Sequence, residues 1–394
     1  MRGVFTIALV LTLLPRTQAQ ADIQIFTPSM EPQILAAMEH TASIWEQHLN
    51  SPVQIKVNVL LFPVSGAFLG FTFPNGRRNF AGAPLADTWY PTCLANAMTG
   101  MELNPGESDI DIVMAADANW YFGTDGNPGS QQFDFVSVLL HEIGHGLGFV
   151  SLSDSYGGEG SFGMIDFSQF APFQPTFPIP QLDGMPGAYD RLLATGTGQA
   201  LTDTSLFPSP SPMLHATFTG NNVFFSGEES TIANDGQDVK IFAPPVFAFG
   251  TSISHLDEGS FPNAGGNSLM TPYINKGEVE HHPGPITLGV LRDIGWNIST
   301  AVAEIPVLSG FSARILGFGN ESVLQLELPA AGEVRWALAD VRGQVLRQVH
   351  LDKVPEGRQH ISLGNELSGL PAGFYIVQAV WEGQVIARQL VLAR

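Results

Sequence analysis

The chain has 394 residues, room for two or three domains and a full enzyme core. Charged residues make up 14% and apolar residues 44%, which excludes wholesale disorder, and the 42 glycines and 28 prolines imply turns and long loops rather than a helical bundle. The 37 acids against 17 bases leave a formal charge of −20, the wrong sign for binding nucleic acid or anionic lipid.

Arg2, the apolar run at residues 4–14 and Ala19-Gln20-Ala21 predict a signal peptide over residues 1–21, with Thr17-x-Ala19 as a competing cleavage motif. That run falls short of the ~20 residues that span a bilayer, and no later stretch is long and apolar enough. The expectation is a secreted or cell-surface chain with no transmembrane segment. Ile34, Leu35, Met38, Ala42, Trp45 and Leu49 recur every three or four residues and predict an amphipathic helix, with Ser29 as N-cap and Pro32 in its first turn. Alternation over residues 53–62 predicts a strand, and residues 110–114 a second. Residues 134–147 predict a buried helix ended by Gly146 and Gly148. Residues 150–253 lack periodicity and are too long for a plain loop, so an inserted subdomain or a lid is expected there. The lone cysteine, Cys93, cannot form an internal disulfide and is expected to be a buried small hydrophobe.

Charge and pattern change near residue 300. Residues 301–394 hold 8 bases and 9 acids, whereas the rest holds 9 bases and 28 acids. Beyond that point Leu324, Leu326 and Leu328, then Val334, Trp336 and Leu338, alternate with polar or small residues, which predicts a separate β-sandwich.

The chemistry concentrates at His141-Glu142-Ile143-Gly144-His145. Residues i and i+4 share one helix face, so the two imidazoles can grip one ion. A neighbouring carboxylate, Glu142, can then act as general base and acid without being a ligand. Catalytic zinc usually takes three protein ligands. The remaining candidates are His255, His215, and Asp154 or another carboxylate. His281 and His282 read as surface or substrate-rim residues, and Asp257 and Glu258 as local hydrogen-bond partners rather than ligands. Asp109, Asp111, Asp117, Asp125 and Asp134 read as solvated turn acids, with a structural calcium ion as the alternative. Tyr189-Asp190-Arg191 reads as a local ion pair.

His141, Glu142, His145 and Gly148 match the metzincin motif H-E-x-x-H-x-x-G-x-x-H, whose last position is here Ser151. His255 is followed by Ser268-Leu269-Met270-Thr271-Pro272, which resembles the metzincin Met-turn. This arrangement resembles leishmanolysin-like metzincins, in which an inserted segment displaces the third ligand. The resemblance implies an α+β fold with a metzincin-like zincin catalytic domain over residues 22–300, one zinc ion on His141, His145 and His255, and Met270 beneath it. It also implies a cleft under an edge strand, an extended peptide as substrate, and a closing helix at residues 286–296. In the second module, Ala339-Asp340-Val341-Arg342-Gly343-Gln344 and Leu367-Ser368-Gly369-Leu370-Pro371-Ala372-Gly373-Phe374-Tyr375 resemble the sorting domain of type IX secretion substrates. That implies export through bacterial outer-membrane machinery. The expectation is a secreted zinc metalloendopeptidase. The alternatives are a zinc-binding adhesin that keeps the fold and a zinc hydrolase acting on another bond.

Overall fold

In the computed structural model, described residues are 19–28, 30–66, 68–167, 173, 175–178, 180–263, 266–299, 312–316, 322–340, 345–371, 373–381 and 384–392. They form two compact units, one on each side of the junction between residues 300 and 301. Both helix and strand are present, the strands in several small sheets. Most of the expected leader lies outside the described residues. Ala21, however, is buried and its N–H donates to the Leu49 carbonyl at 2.9 Å. A chain cut after Ala19 keeps that contact and a chain cut after Ala21 loses it. No helix among the described residues is long and apolar enough to cross a membrane.

The first unit is built on a four-stranded sheet in the order Ile23–Phe26, Ile55–Phe62, Ile110–Ala115, Gly70–Pro74. The first three strands run parallel. Gly70–Pro74 runs antiparallel to Ile110–Ala115 and forms one edge, with Thr72 opposite Ile112. Ile55, Val57 and Val59 are buried, as alternation over residues 53–62 requires. The helix Pro32–Glu46 buries Ile34, Met38, Ala42 and Trp45, but Leu35 is exposed and Leu49 belongs to the next strand. Its N-cap is Glu31, which makes no side-chain cap bond; Ser29 lies outside the described residues. Trp45 Nε1–H donates to the Leu140 carbonyl at 3.0 Å, fixing this helix to the buried helix Phe135–Gly146.

Among the described residues of the stretch expected as an insertion, the buried apolar side chains form no separate core. A hairpin of Ser153–Tyr156 and Glu159–Phe162, a three-stranded sheet of Leu193–Thr195, Val223–Phe225 and Val239–Ile241, and the helices Pro212–Phe218 and Glu228–Ala233 occupy this stretch. Their buried residues Phe162, Leu193, Leu214, Phe225 and Ile241 join the same apolar core as Leu139 and Ile143. The reason is size: three-residue strands and six- or seven-residue helices bury too little apolar area to stand alone. The helix Pro285–Asp293 follows and packs on Glu228–Ala233, with Arg292 paired to Glu229 at 2.6 Å.

The second unit has two antiparallel sheets. One contains Ser312–Leu316, Val323–Leu328 and Gly357–Ser362; the other contains Val345–Val354, Gly332–Asp340, Gly373–Trp381 and Gln384–Leu392. Leu324, Leu326 and Leu328 from the first sheet share one core with Val334, Trp336, Leu338 and Val377 from the second. The Tyr375 hydroxyl donates to the Pro371 carbonyl at 2.7 Å. Residues 341–344 and Ala372 of the expected sorting motif lie outside the described residues.

Candidate metal centre

The helix Phe135–Gly146 starts at Asp134, whose carboxylate accepts from the Ser137 N–H at 2.8 Å and the Ser137 hydroxyl at 2.7 Å. Asp134 is therefore a buried N-cap rather than a solvated acid. Its Oδ1 also lies 2.7 Å from His281 Nε2, so His281 braces the helix start instead of rimming a substrate site. The helix then carries His141, Glu142 and His145 towards the cleft.

The three histidine Nε2 atoms converge. His141 and His145 are 2.9 Å apart, His145 and His255 3.1 Å, and His141 and His255 3.2 Å. Each Nδ1 lies against a main-chain carbonyl: Leu269 for His141 at 2.6 Å, Phe149 for His145 at 2.7 Å and Thr251 for His255 at 2.8 Å. A carbonyl only accepts, so each Nδ1 carries the proton and each Nε2 presents a lone pair. Three lone pairs facing one another with no proton between them suit a cation, and the carbonyl bonds fix ring orientation as they do in metal sites. Burial, the largest cause throughout, pushes His141 down to about 4, His255 down to about 3 and His145 well below the usual range, with the neighbouring imidazoles adding to the shift at His145 and His255. The rings are therefore neutral near pH 7, the form that ligates.

Met270 is fully buried beneath the helix. A Cβ built on Gly144 would sit 2.7 Å from Met270 Sδ and 3.4 Å from Trp45 Cζ2, so only glycine fits between the two histidines. The turn is closed by Thr271 N–H to the Ser268 carbonyl at 2.9 Å, and the carbonyl of Met270 accepts from Leu256 N–H at 2.8 Å. That second bond ties the methionine turn to the residue beside His255.

Ser151 is no ligand. Its hydroxyl donates to Asp190 Oδ1 at 2.6 Å, and its N–H donates to Ser254 Oγ at 3.1 Å, which brings the chain bearing His255 to the helix end. Asp190 also accepts from Gly187 and Leu152 N–H, while Arg191 donates to Thr88 Oγ1 and the Asp87 carbonyl. The expected local ion pair is instead two separate anchors. Asp257 and Glu258 are local hydrogen-bond partners rather than ligands, and His255 is held by Thr251. Asp257 bonds Ser260 and Glu258 bonds Thr271. His215 bonds Ser155 Oγ at 2.7 Å, and Asp154 lies in the first hairpin; neither joins the histidine group.

Nor do the five acids gather around a calcium ion. Asp109 accepts from Lys56 N–H, Asp111 from Asn58 and Ser108, Asp117 from Val64 and Ser65 N–H, and Asp125 from Tyr121 and Asn127. Cys93 is buried with Sγ 3.6 Å from the Gly146 carbonyl, and burial pushes its thiol pKa up. One other grouping of ligand-type residues exists among those described, Glu333, His350 and Asp352. It is exposed and has Arg335 3.6 Å from Glu333, so ion pairing accounts for it.

Glu142 is buried, and burial raises its carboxyl to about 7 against the opposing effect of a Thr72 hydrogen bond. Thr72 Oγ1 lies 2.6 Å from Glu142 Oε2 and 3.0 Å from the Glu142 carbonyl. Thr72 and Gly70 belong to the edge strand and escape sequence reasoning, because Gly-Phe-Thr-Phe-Pro carries no local mark of chemistry. The cleft of about 970 Å³ is lined by Glu142, the three histidines, aromatic residues that include Phe71, Phe73 and Trp89, and the carboxylates Glu258, Glu278 and Glu280.

A family described as SPBPB7E8-like matches residues 86–159, which contain the whole of the helix Phe135–Gly146 but stop short of His255. The chain is 34% identical over 116 residues to an uncharacterized protein, PB7E8.01, of Schizosaccharomyces pombe; the match covers 26% of this chain and about a fifth (20%) of that relative. Two solved structures of the glycogen-degrading pneumococcal virulence factor SpuA, a product complex and the catalytic module, share 25% identity over 19% of this chain. They overlap over 8% and 12% of their own lengths, with TM-scores of 0.15 and 0.14, too little to inform fold or chemistry.

Proposed function

We propose that the protein is a secreted zinc metalloendopeptidase of metzincin type, in which His141, His145 and His255 hold the ion. The observation that carries this reading is the convergence of three Nε2 lone pairs within 3.2 Å, each ring oriented by a carbonyl. The buried Met270 turn under those rings supports it. Bound there, zinc supplies Lewis acidity, polarising a substrate carbonyl and bringing the pKa of a water to about 7. The residues of the chain do the rest. Glu142, buried and lining the same cleft as the three histidines, is placed to take a proton from water and return it to the departing amine nitrogen. The strand Gly70–Pro74 lies at the edge of its sheet among the described residues, where an extended peptide would add as a further strand beside the aromatic lining of the cleft. We assign the second module to export, on its resemblance to type IX sorting domains.

Glu142→Gln tests the assignment. The three histidines remain, so metal content stays stoichiometric. Hydrolysis of an unstructured protein slows at least about 100-fold, the lower bound of general acid–base catalysis. A wild-type protein that binds zinc and cleaves nothing supports the adhesin reading instead, and cleavage of esters or non-peptide amides alone supports the other hydrolase.

A further inference from the structure

The geometry points to the edge strand as the device that aims the catalytic carboxylate, with Thr72 and Gly70 as positioning residues and Glu142 Oε1 as the basic atom. This rests on the proposed peptidase reading. A carboxylate on a flexible glutamate has two equivalent oxygens and several rotamers, and a general base must present one oxygen at one place. Here Thr72 Oγ1, 2.6 Å from Oε2, occupies one oxygen. The same hydroxyl is 3.0 Å from the Glu142 carbonyl, and its single proton goes to the nearer acceptor, the carboxylate oxygen. Gly70 lies two residues earlier, on the same face of the strand. A Cβ there would overlap Glu142 Oε1, Cγ and Cδ, so the missing side chain is the space the carboxylate occupies. Oε1 makes no hydrogen bond to the described residues that competes with a water. The strand that offers its edge to a substrate thus also orients the base.

The positioning role separates from a structural one by comparing Thr72→Val with Thr72→Ser. Valine keeps the shape and deletes the hydroxyl; serine keeps the hydroxyl. Misplacing a reacting group by about 1 Å costs on the order of 100-fold. Thr72→Val is therefore expected to lower kcat by about 10- to 100-fold, with KM and zinc content unchanged, and Thr72→Ser to restore most of the rate. Gly70→Ala should lower kcat similarly. Turnover in Thr72→Val equal to wild type, or an equal loss in Thr72→Ser, overturns the inference. A second readout needs no turnover: the infrared band of the Glu142 carboxyl in metal-free protein, identified by its loss in Glu142→Gln. That band should move in Thr72→Val and stay in place in Thr72→Ser. If wild type is inactive while the band moves this way, the peptidase reading fails and the positioning contact stands. An unmoved band refutes the positioning contact itself.

Discussion

Ser151 occupies the position at which the metzincin motif carries its third histidine, and its surroundings predict what its hydroxyl does. Ser151→Ala deletes two bonds: Oγ–H to Asp190 Oδ1 at 2.6 Å and Ser153 N–H to Oγ at 3.0 Å. The bond from Ser151 N–H to Ser254 Oγ is main-chain at position 151 and survives. Asp190 is fully buried, and burial raises its carboxyl to about 6, against the pull of Ser151, Gly187 and Leu152. A carboxyl raised above its unfolded value of 3.8 gives stability that is complete below that value and is lost as pH rises through about 6. Deleting one donor raises Asp190 further and extends the loss to higher pH. Bonds to neutral groups are worth about 1 kcal/mol and bonds to charged groups about 1.5–3 kcal/mol. With both bonds lost, Ser151→Ala should therefore cost about 2 kcal/mol at pH 5 and about 2.5–4 kcal/mol at pH 8. Urea unfolding of metal-free wild type and variant at both pH values measures this, with zinc content measured beside it. Equal penalties at the two pH values would refute the role of the ionised carboxylate. Loss of zinc from the folded variant would mean that Ser151 serves the metal after all.

Other outcomes follow from single contacts. Gly144→Ala forces a Cβ to 2.7 Å from Met270 Sδ, and overpacking of this kind costs about 1–3 kcal/mol; a thermal unfolding midpoint unchanged from wild type would contradict the fit. Asp109 is buried, bonds Lys56 N–H at 2.8 Å and has its carboxyl raised by burial to about 7 from 3.8. Asp109 by itself therefore removes up to about 4 kcal/mol of stability as pH rises from about 4 to 7, opposite in sign to the buried histidines, and Asp109→Asn should remove that contribution from the pH profile. Denaturation curves across this range check it, and parallel pH profiles for the two proteins would show that Asp109 titrates normally.

How much of the site can be read from sequence depends on how local its parts are. His141 and His145 are legible because one helical turn puts them on one face, and the apolar residues around them predict the buried helix. Period two likewise identifies Leu324, Leu326, Val334 and Trp336 as core residues of the second unit. Asp134 shows the limit of such local reading. The run of acids suggested solvent or calcium, whereas its spacing to Ser137 is that of a cap. The long aperiodic stretch misleads in another way: its elements are too short to show a period and take their stability from the main core. His255 stands 110 residues from His145, and no local pattern brings its Nε2 to 3.1 Å from the first pair. Three non-local bonds do that: Ser151 N–H to Ser254 Oγ, Leu256 N–H to the Met270 carbonyl, and His141 Nδ1–H to the Leu269 carbonyl. The same holds for Glu142. Its chemistry is legible from its place between two histidines, but the Thr72 and Gly70 that its carboxylate touches lie on a strand 70 residues away that meets the helix only once the sheet has formed.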